Sequence, residues 1–198
     1  MKIFRILIVF PLLLVLYACP GASHKSDLKK IQENNMDLPD LRDRAYSGIR
    51  FKLSDLFRNS YNDDFVIQDN AKTMAIYGID LNFSVEVFDK DEAELIQFAF
   101  DDEISALDAV HDNYVLKRME TFEEGEASVK KPCSKDVKYP GYTQVLHGKN
   151  LLYGDMTTYM MATVEIDNEY YVFQLIGKRE NMGYLFDDFE DILVSITK

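Results

Sequence analysis

Residues 157–177 read TTYMMATVEIDNEYYVFQLIG. Met160, Ala162, Val164 and Ile166 alternate with Met161, Thr163 and Glu165. A period of two sends alternate side chains to opposite faces of a strand, so Thr157–Ile166 is predicted to be extended. Asp167-Asn168 follows, and Asn and Asp accept positive φ at low cost, which suits a tight turn. Tyr170–Ile176 then reads as the antiparallel partner. A long hairpin of this kind makes an antiparallel sheet the nucleus of the fold.

Tyr142–His147 predicts a third strand upstream of the hairpin. In Ile79–Val87, the residues Ile79, Leu81, Phe83, Val85 and Val87 alternate with Asp80, Asn82, Ser84 and Glu86. One dry and one wet face predict a sheet covered on one side only. Glu94–Phe100 reads as its return strand, with Ile96, Phe98 and Phe100 on one face and a helix as the alternative. Residues 102–120 predict a helix with Ile104, Leu107, Val110, Tyr114 and Val115 in one stripe and Asp101 or Asp102 as N-cap. The loop that follows holds a short predicted strand around Ala127–Lys131. Residues 181–198 predict an amphipathic helix. Phe186, Phe189, Leu193 and Ile196 form its stripe, with Asp187, Asp188, Glu190 and Asp191 directed elsewhere. Antiparallel strands with helices packed on them make an α+β sandwich, and residues 41–198 are enough for one domain.

This order resembles the PsbP-like superfamily over roughly Gly48 to Ile196. The features that carry the resemblance are the hairpin quoted above and the final FDDFEDILVSI. The resemblance implies a sheet closed by a C-terminal helix, no catalytic residues, and action by binding a protein partner.

The chain begins MKIFRILIVFPLLLVLYAC. A short cationic start, with Lys2 and Arg5, precedes an apolar run, Ile6–Leu16, and a small residue before a cut, which is the layout of a secretory signal. The run is shorter than the ~20 residues of a spanning helix, and Pro11 interrupts it. Leu16-Tyr17-Ala18-Cys19 resembles the lipobox of bacterial lipoproteins, with Tyr17 where a small or β-branched residue is usual. The resemblance implies a signal peptide over 1–18, lipidation of Cys19 and a membrane anchor in the bacterial cell envelope. The folded domain would then stand in the periplasm or at the cell surface. Residues 20–39 are polar and charged and read as a spacer, so the tether spans 19–40 and the domain begins near Leu41.

Net charge is −12, and loss of Lys2 and Arg5 with the leader would leave 20 basic against 34 acidic residues, net −14. An acidic chain lacks the cations that nucleic-acid binding draws on. It also lacks the basic clusters of a protein that lies flat on anionic lipid. The two cysteines are Cys19 and Cys133, so lipidation of Cys19 leaves no internal disulfide. No zinc-site spacing, Gly-rich phosphate loop or hydrolase motif occurs, and no cofactor or metal is expected.

Two features stand out as candidate chemistry. Cys133 with His147 or His111 is the available nucleophile–base pairing. Lys130, Lys131, Lys135 and Lys138 lie near Cys133 in sequence and would lower its thiol pKa. The second feature is the basic loop itself: Lys130, Lys131, Lys135, Lys138, Tyr139 and Tyr142 form a candidate binding surface for an acidic or sugar-like partner. His111 falls on the apolar side of its helix and reads as a core histidine. The acidic clusters at 101–103, 123–126 and 187–191 read as solvated faces. The leading expectation is a non-catalytic, membrane-tethered protein-binding or accessory module. A carrier of a small apolar ligand, held between sheet and helices, is the alternative, and a Cys133-dependent enzyme comes after it.

Overall fold

The computed structural model describes residues 41–54, 66–69, 73–77, 81–100, 103–183 and 185–198. The apolar run, Cys19, the spacer, Ile79 and the proposed caps Asp101 and Asp102 lie outside the described residues.

The strands are β1 (Leu41–Tyr46), β2 (Ile49–Ser54), β3 (Val66–Asp69), β4 (Thr73–Tyr77), β5 (Leu81–Phe88), β6 (Phe122–Ala127), β7 (Lys131–Pro132), β8 (Gly141–Asn150), β9 (Met156–Ile166) and β10 (Glu169–Lys178). The helices are α1 (Lys90–Phe100), α2 (Ala106–Met119), α3 (Arg179–Met182) and α4 (Phe186–Val194). One antiparallel sheet runs β3-β4-β5-β10-β9-β8-β6, with β7 also on β8, and β1–β2 form a separate hairpin. The fold is thus the α+β antiparallel sandwich expected.

The hairpin of residues 157–177 is the centre of the sheet. Glu169 pairs with Ile166 and Lys178 with Thr157, in unbroken register. Asp167 and Asn168 have φ of 52° and 64°, so both turn residues take the positive φ that a two-residue hairpin turn needs. On the other side β10 pairs with β5, Phe173 opposite Val85.

The sheet is covered on both faces, not on one. β5 keeps the expected alternation of buried and half-buried residues, but β9 and β10 are buried along most of their length. On one face β1–β2, α3 and α4 enclose Phe83, Val85, Met160, Ala162, Val164, Tyr171, Phe173 and Leu175. On the other, α1 and α2 cover Leu146, Tyr159, Met161, Tyr170 and Val172. Strands dry on both faces occupy the middle of a three-layer sandwich. The second cover comes from the β1–β2 hairpin, which alternation at Ile49, Phe51 and Leu53 builds and which the expected order of elements lacks.

The Glu94–Phe100 strand is instead part of α1. Asp89 Oδ1 accepts from the Glu92 N–H at 2.9 Å, and the Glu92 carboxylate accepts from the Asp89 N–H at 3.4 Å. This reciprocal pairing is a capping box, with Asp in place of Ser or Thr, and it starts a helix. The inward side chains are Ala93 and Ile96, while Leu95 and Phe98 face solvent. The cap of α2 is Ser105, whose Oγ accepts from the Asp108 N–H at 3.1 Å. β6 and β7 flank the strand expected at 127–131. The C-terminal helix is shorter than expected. It stops at Val194, and Thr197 leaves it to exchange two backbone bonds with Arg50 of β2, at 2.6 and 2.8 Å. Asp188 also departs from expectation: it is buried among the apolar residues of α4.

Candidate functional site

Position on β8 decides what each candidate side chain can reach. Val145 lies opposite Met160, and His147 opposite Thr158, so odd-numbered β8 residues share the β1–β2/α4 face. Gln144 lies opposite Met161 and faces α2.

His111 sits on the α2 face, fully buried. Its Nδ1 lies 3.0 Å from Thr163 Oγ1 and its Nε2 3.1 Å from Gln144 Oε1. Both ring nitrogens are engaged in holding α2 on the sheet, which is the core role read from its helix position. Burial pushes its pKa down, against the opposing pull of Gln144 and Asp112.

Cys133 is half-buried on the opposite face, packed against the β1–β2/α4 core. Its N–H donates to Gly141 O at 2.9 Å. The loop folds back so tightly that a Cβ on Gly141 would lie 2.5 Å from Thr163 O and 2.9 Å from Cys133 Sγ. His147 shares that face but lies six residues along β8 from Gly141, about 20 Å away. Its Nδ1 is 2.7 Å from Thr158 Oγ1. Neither histidine therefore forms a dyad with Cys133. The expected lysine activation fails as well. Burial, with the Glu190 carboxylate adding to it, pushes the thiol up to about 11. Lys130 is held by α2 across the sheet. A thiol of this kind is a poor nucleophile at neutral pH.

The structure divides the basic loop between the two faces. Lys130 Nζ lies 2.8 Å from Asp108 Oδ1 and 2.9 Å from Asp112 Oδ1, and 4.9 Å from the centre of the Tyr142 ring. Burial alone would raise the Asp108 carboxyl, but Lys130 and Ser105 outweigh it and hold it below the ordinary value. Burial works against the Lys130 ammonium, and the two carboxylates more than offset it. Tyr142 packs on this face, 5.9 Å from the His111 ring. On the other face Tyr139 packs against the core, and Lys138 lies 5.0 Å from its ring centre. Lys131 and Lys135 are exposed. Lys130 and Tyr142 are thus structural partners of α2, while Lys131 lines a cleft on the α4 side and Tyr139, with Lys138 over its ring, packs against that side's core.

On that side lies a cleft of about 480 Å³ between β8, the loop after β7, and α4. Val145, Met160, Phe189 and Leu193 line its apolar interior. Val129 and Phe186, 77 % and 45 % exposed, stand at its mouth with Lys131, Ser134 and Glu190. No sequence pattern marks this cleft, because its walls come from β8, β9 and α4, which meet only in three dimensions. Phe186 is the residue that a helical stripe flags as core. It stands at the edge of the stripe, where α4 stops covering β8.

Among the described residues no cluster of His, Cys, Asp and Glu could hold a metal ion. No helix among them is long and apolar enough to cross a membrane.

No protein-family model matches the chain, and no curated protein does. Among solved structures, a single-residue mutant of Mog1 is 8 % identical with a TM-score of 0.50, covering 80 % of this chain and 95 % of that one. The Ran-binding protein Mog1p of Saccharomyces cerevisiae is 7 % identical, TM-score 0.49, over 81 % of this chain and 96 % of that one. Cyanobacterial PsbP of Synechocystis is 12 % identical, TM-score 0.46, over 82 % and 94 %. At these identities the likeness is one of fold: this chain shares the architecture of Mog1, a sheet with helices on one face and a C-terminal helix on the other.

Proposed function

We propose that this chain is a lipid-anchored accessory module of the bacterial cell envelope. In this reading residues 1–18 are a cleaved signal peptide and Cys19 carries the lipid. Residues 19–40 are the tether, and 41–198 form a non-catalytic domain that binds a protein partner. The observation that carries the binding role is the α4-side cleft. It is open, apolar inside, and bordered by Val129 and Phe186 with charges of both signs at Lys131 and Glu190. Such a trough fits one or two apolar side chains of a partner segment, with polar contacts at the edge. Mog1p is described as Ran-binding, so this architecture serves protein recognition in at least one case, which is support by analogy. The anchor adds effective concentration at the membrane without any new contact.

The test is crosslinking in intact cells from a photoreactive residue placed at Val129, with the same residue at Phe98 as control. Phe98 is equally exposed, at 81 %, and lies on α1. One dominant protein adduct from position 129 that is absent from position 98, and reduced by Cys19→Ala, is the expected result. Identical or empty profiles would remove the protein-binding reading.

The volume of the cleft favours one second reading, a small apolar ligand, since ligand pockets commonly span about 300–1,000 Å³. Native mass spectrometry of the purified protein reads it directly, as a bound mass lost when Leu193→Lys fills the cleft with charge.

A further inference from the structure

The β8–β9 connection, Leu151-Leu152-Tyr153-Gly154-Asp155, is apolar where turns are normally polar. Leu151, Leu152 and Tyr153 are 58 %, 84 % and 78 % exposed. The backbone beneath them is firmly held. The buried Asn150 accepts at Oδ1 from the N–H groups of Leu152 and Tyr153, at 2.9 and 3.3 Å. Its N–H donates to Asp155 O at 2.9 Å, its carbonyl accepts from Gly154 at 2.8 Å, and Leu151 N–H donates to Thr121 O at 2.9 Å. Three large apolar side chains are therefore presented to solvent by a built turn.

The place where the chain enters the domain gives this tip its meaning. The β1–β2 hairpin turns at Ser47-Gly48, and the Tyr171 hydroxyl, near the start of β10, donates to Ser47 O at 2.7 Å. Further along, Phe51 packs edge-on against Phe173, centroids 5.7 Å apart. The hairpin thus runs alongside β10, and its open end, Leu41 paired with Ser54, points toward Lys178. Lys178 pairs with Thr157 at the foot of the β8–β9 turn. The chain enters at the same end of the sheet as the apolar tip, and Lys198 lies at the opposite end, 2.5 Å from Asp167.

Charge at this end is mixed although the whole chain is acidic, with Glu124 adding to the acids near Lys149. Lys149 pairs with Glu123, and Lys178 lies 3.5 Å from Asp155, with Arg179 and Glu180 alongside. Local charge therefore opposes contact with a lipid surface far less than the net charge would.

We propose that the Leu151-Leu152-Tyr153 tip enters the interface of the lipid bilayer and orients the domain on it. This rests on the Cys19 anchor proposed above. The two leucines reach the acyl boundary and the tyrosine lies at headgroup level, the usual depth for such a side chain. The 21 residues between Cys19 and Leu41 span at most about 75 Å, so anchor and tip act on one surface. Insertion is driven by apolar area and needs no anionic lipid.

The chain contains no tryptophan, so Leu152→Trp supplies a single reporter at an exposed site. The full chain, purified from membranes with its native amino terminus, is placed in phosphatidylcholine vesicles with brominated acyl chains. Lys198→Trp is the control, and intact mass reads the lipid on Cys19. The expected result is a blue-shifted emission and about twofold quenching for Leu152→Trp, with neither for Lys198→Trp. A lipidated, vesicle-bound Leu152→Trp protein with unquenched, water-like emission overturns the tip while leaving the anchor standing. An unmodified Cys19 overturns the anchor alone, and quenching of Leu152→Trp at saturating vesicle concentration then still decides the tip. A blue shift without bromine quenching means that something other than lipid covers the tip, and also overturns the proposal.

Discussion

The two faces of the sheet are covered by opposite chemistry. On the β1–β2/α4 face the centre is dry: Phe51, Phe83 and Phe173 meet at centroid distances of 5.7, 5.7 and 6.4 Å. On the α1/α2 face polar side chains join helix to sheet. His111 meets Thr163 and Gln144, Arg118 Nε donates to Gln174 Oε1 at 2.7 Å, and Tyr114 donates to Glu86. Apolar burial is non-directional and scales with the area removed from water. Polar pairs fix one register, because a misplaced helix leaves buried groups unpaired. The dry face thus supplies stability, and the polar face supplies the exact seating of α2. An open cleft occurs on the dry face, where no polar lock needs closing.

Removing the dry centre gives the largest effect. Phe173→Ala deletes a fully buried ring and should cost about 3–5 kcal/mol, read as a lower urea midpoint with unchanged slope. A cost below 1 kcal/mol would mean that the polar face, not the aromatic one, carries the fold. His111→Leu comes next, at about 1–3 kcal/mol near neutral pH, because Thr163 and Gln144 lose their partner in a buried site. Its pH signature is distinctive. Burial holds the folded histidine below its ordinary 6.5, so below 6.5 the unfolded chain binds the extra proton. Wild-type stability therefore falls with acid from about pH 6.5 downward, and that limb should be shallower in His111→Leu, with His147, which burial also holds below 6.5, supplying the remainder.

How much of this was legible in the sequence follows the same division. The dry strands announce themselves, since Met160 to Ile166 and Leu81 to Val87 alternate regardless of what covers them. The capping box at Asp89 and Glu92 was equally visible, yet Ile96, Phe98 and Phe100 also fit a strand, and a short apolar run cannot decide between periods. The polar face is different. Its pairs join residues such as His111 and Thr163, 52 positions apart, and no local pattern relates them. The basic loop shows the consequence: of two adjacent residues, Lys130 pairs with Asp108 and Asp112 of α2 and Lys131 lines the cleft on the other face. The cleft was beyond reach for the same reason, as no local pattern relates the β8–β9 strands to α4, which completes its walls.

The dry face buries a carboxyl, and its pH response runs opposite to that of His111. Asp188 is 5 % exposed and its Oδ2 has no hydrogen-bond partner. Burial, together with repulsion from Asp191 and Asp187, pushes its carboxyl up to about 6. The folded state then holds a proton that the unfolded chain, with a carboxyl near 3.8, releases. Stability contributed here is full below about pH 4 and is lost as pH rises through 6. Asp188→Asn should stabilise the protein at pH 7 by on the order of 1–2 kcal/mol, with the gain vanishing at pH 4. A gain that persists in acid would place the effect elsewhere than in the carboxylate. Measured together, His111→Leu and Asp188→Asn separate the buried histidine's contribution to the stability profile from the buried carboxyl's.

The smallest effect sharpens the comparison most. Lys130 ties the segment after β6 to Asp108 and Asp112 of α2, but its ion pairs are about a quarter to a third exposed. Such pairs contribute about 0–1 kcal/mol after screening and side-chain entropy. Lys130→Met keeps the apolar stem against Tyr142 and removes only the charge, so a loss under about 1 kcal/mol is expected, smaller in high salt. If polar contacts on this face act by fixing register, the same variant should raise amide exchange in β7 and the first turn of α2 far more than its global cost implies. Uniform exchange rates would mean that His111 alone seats the helix, with Lys130 merely lining its edge.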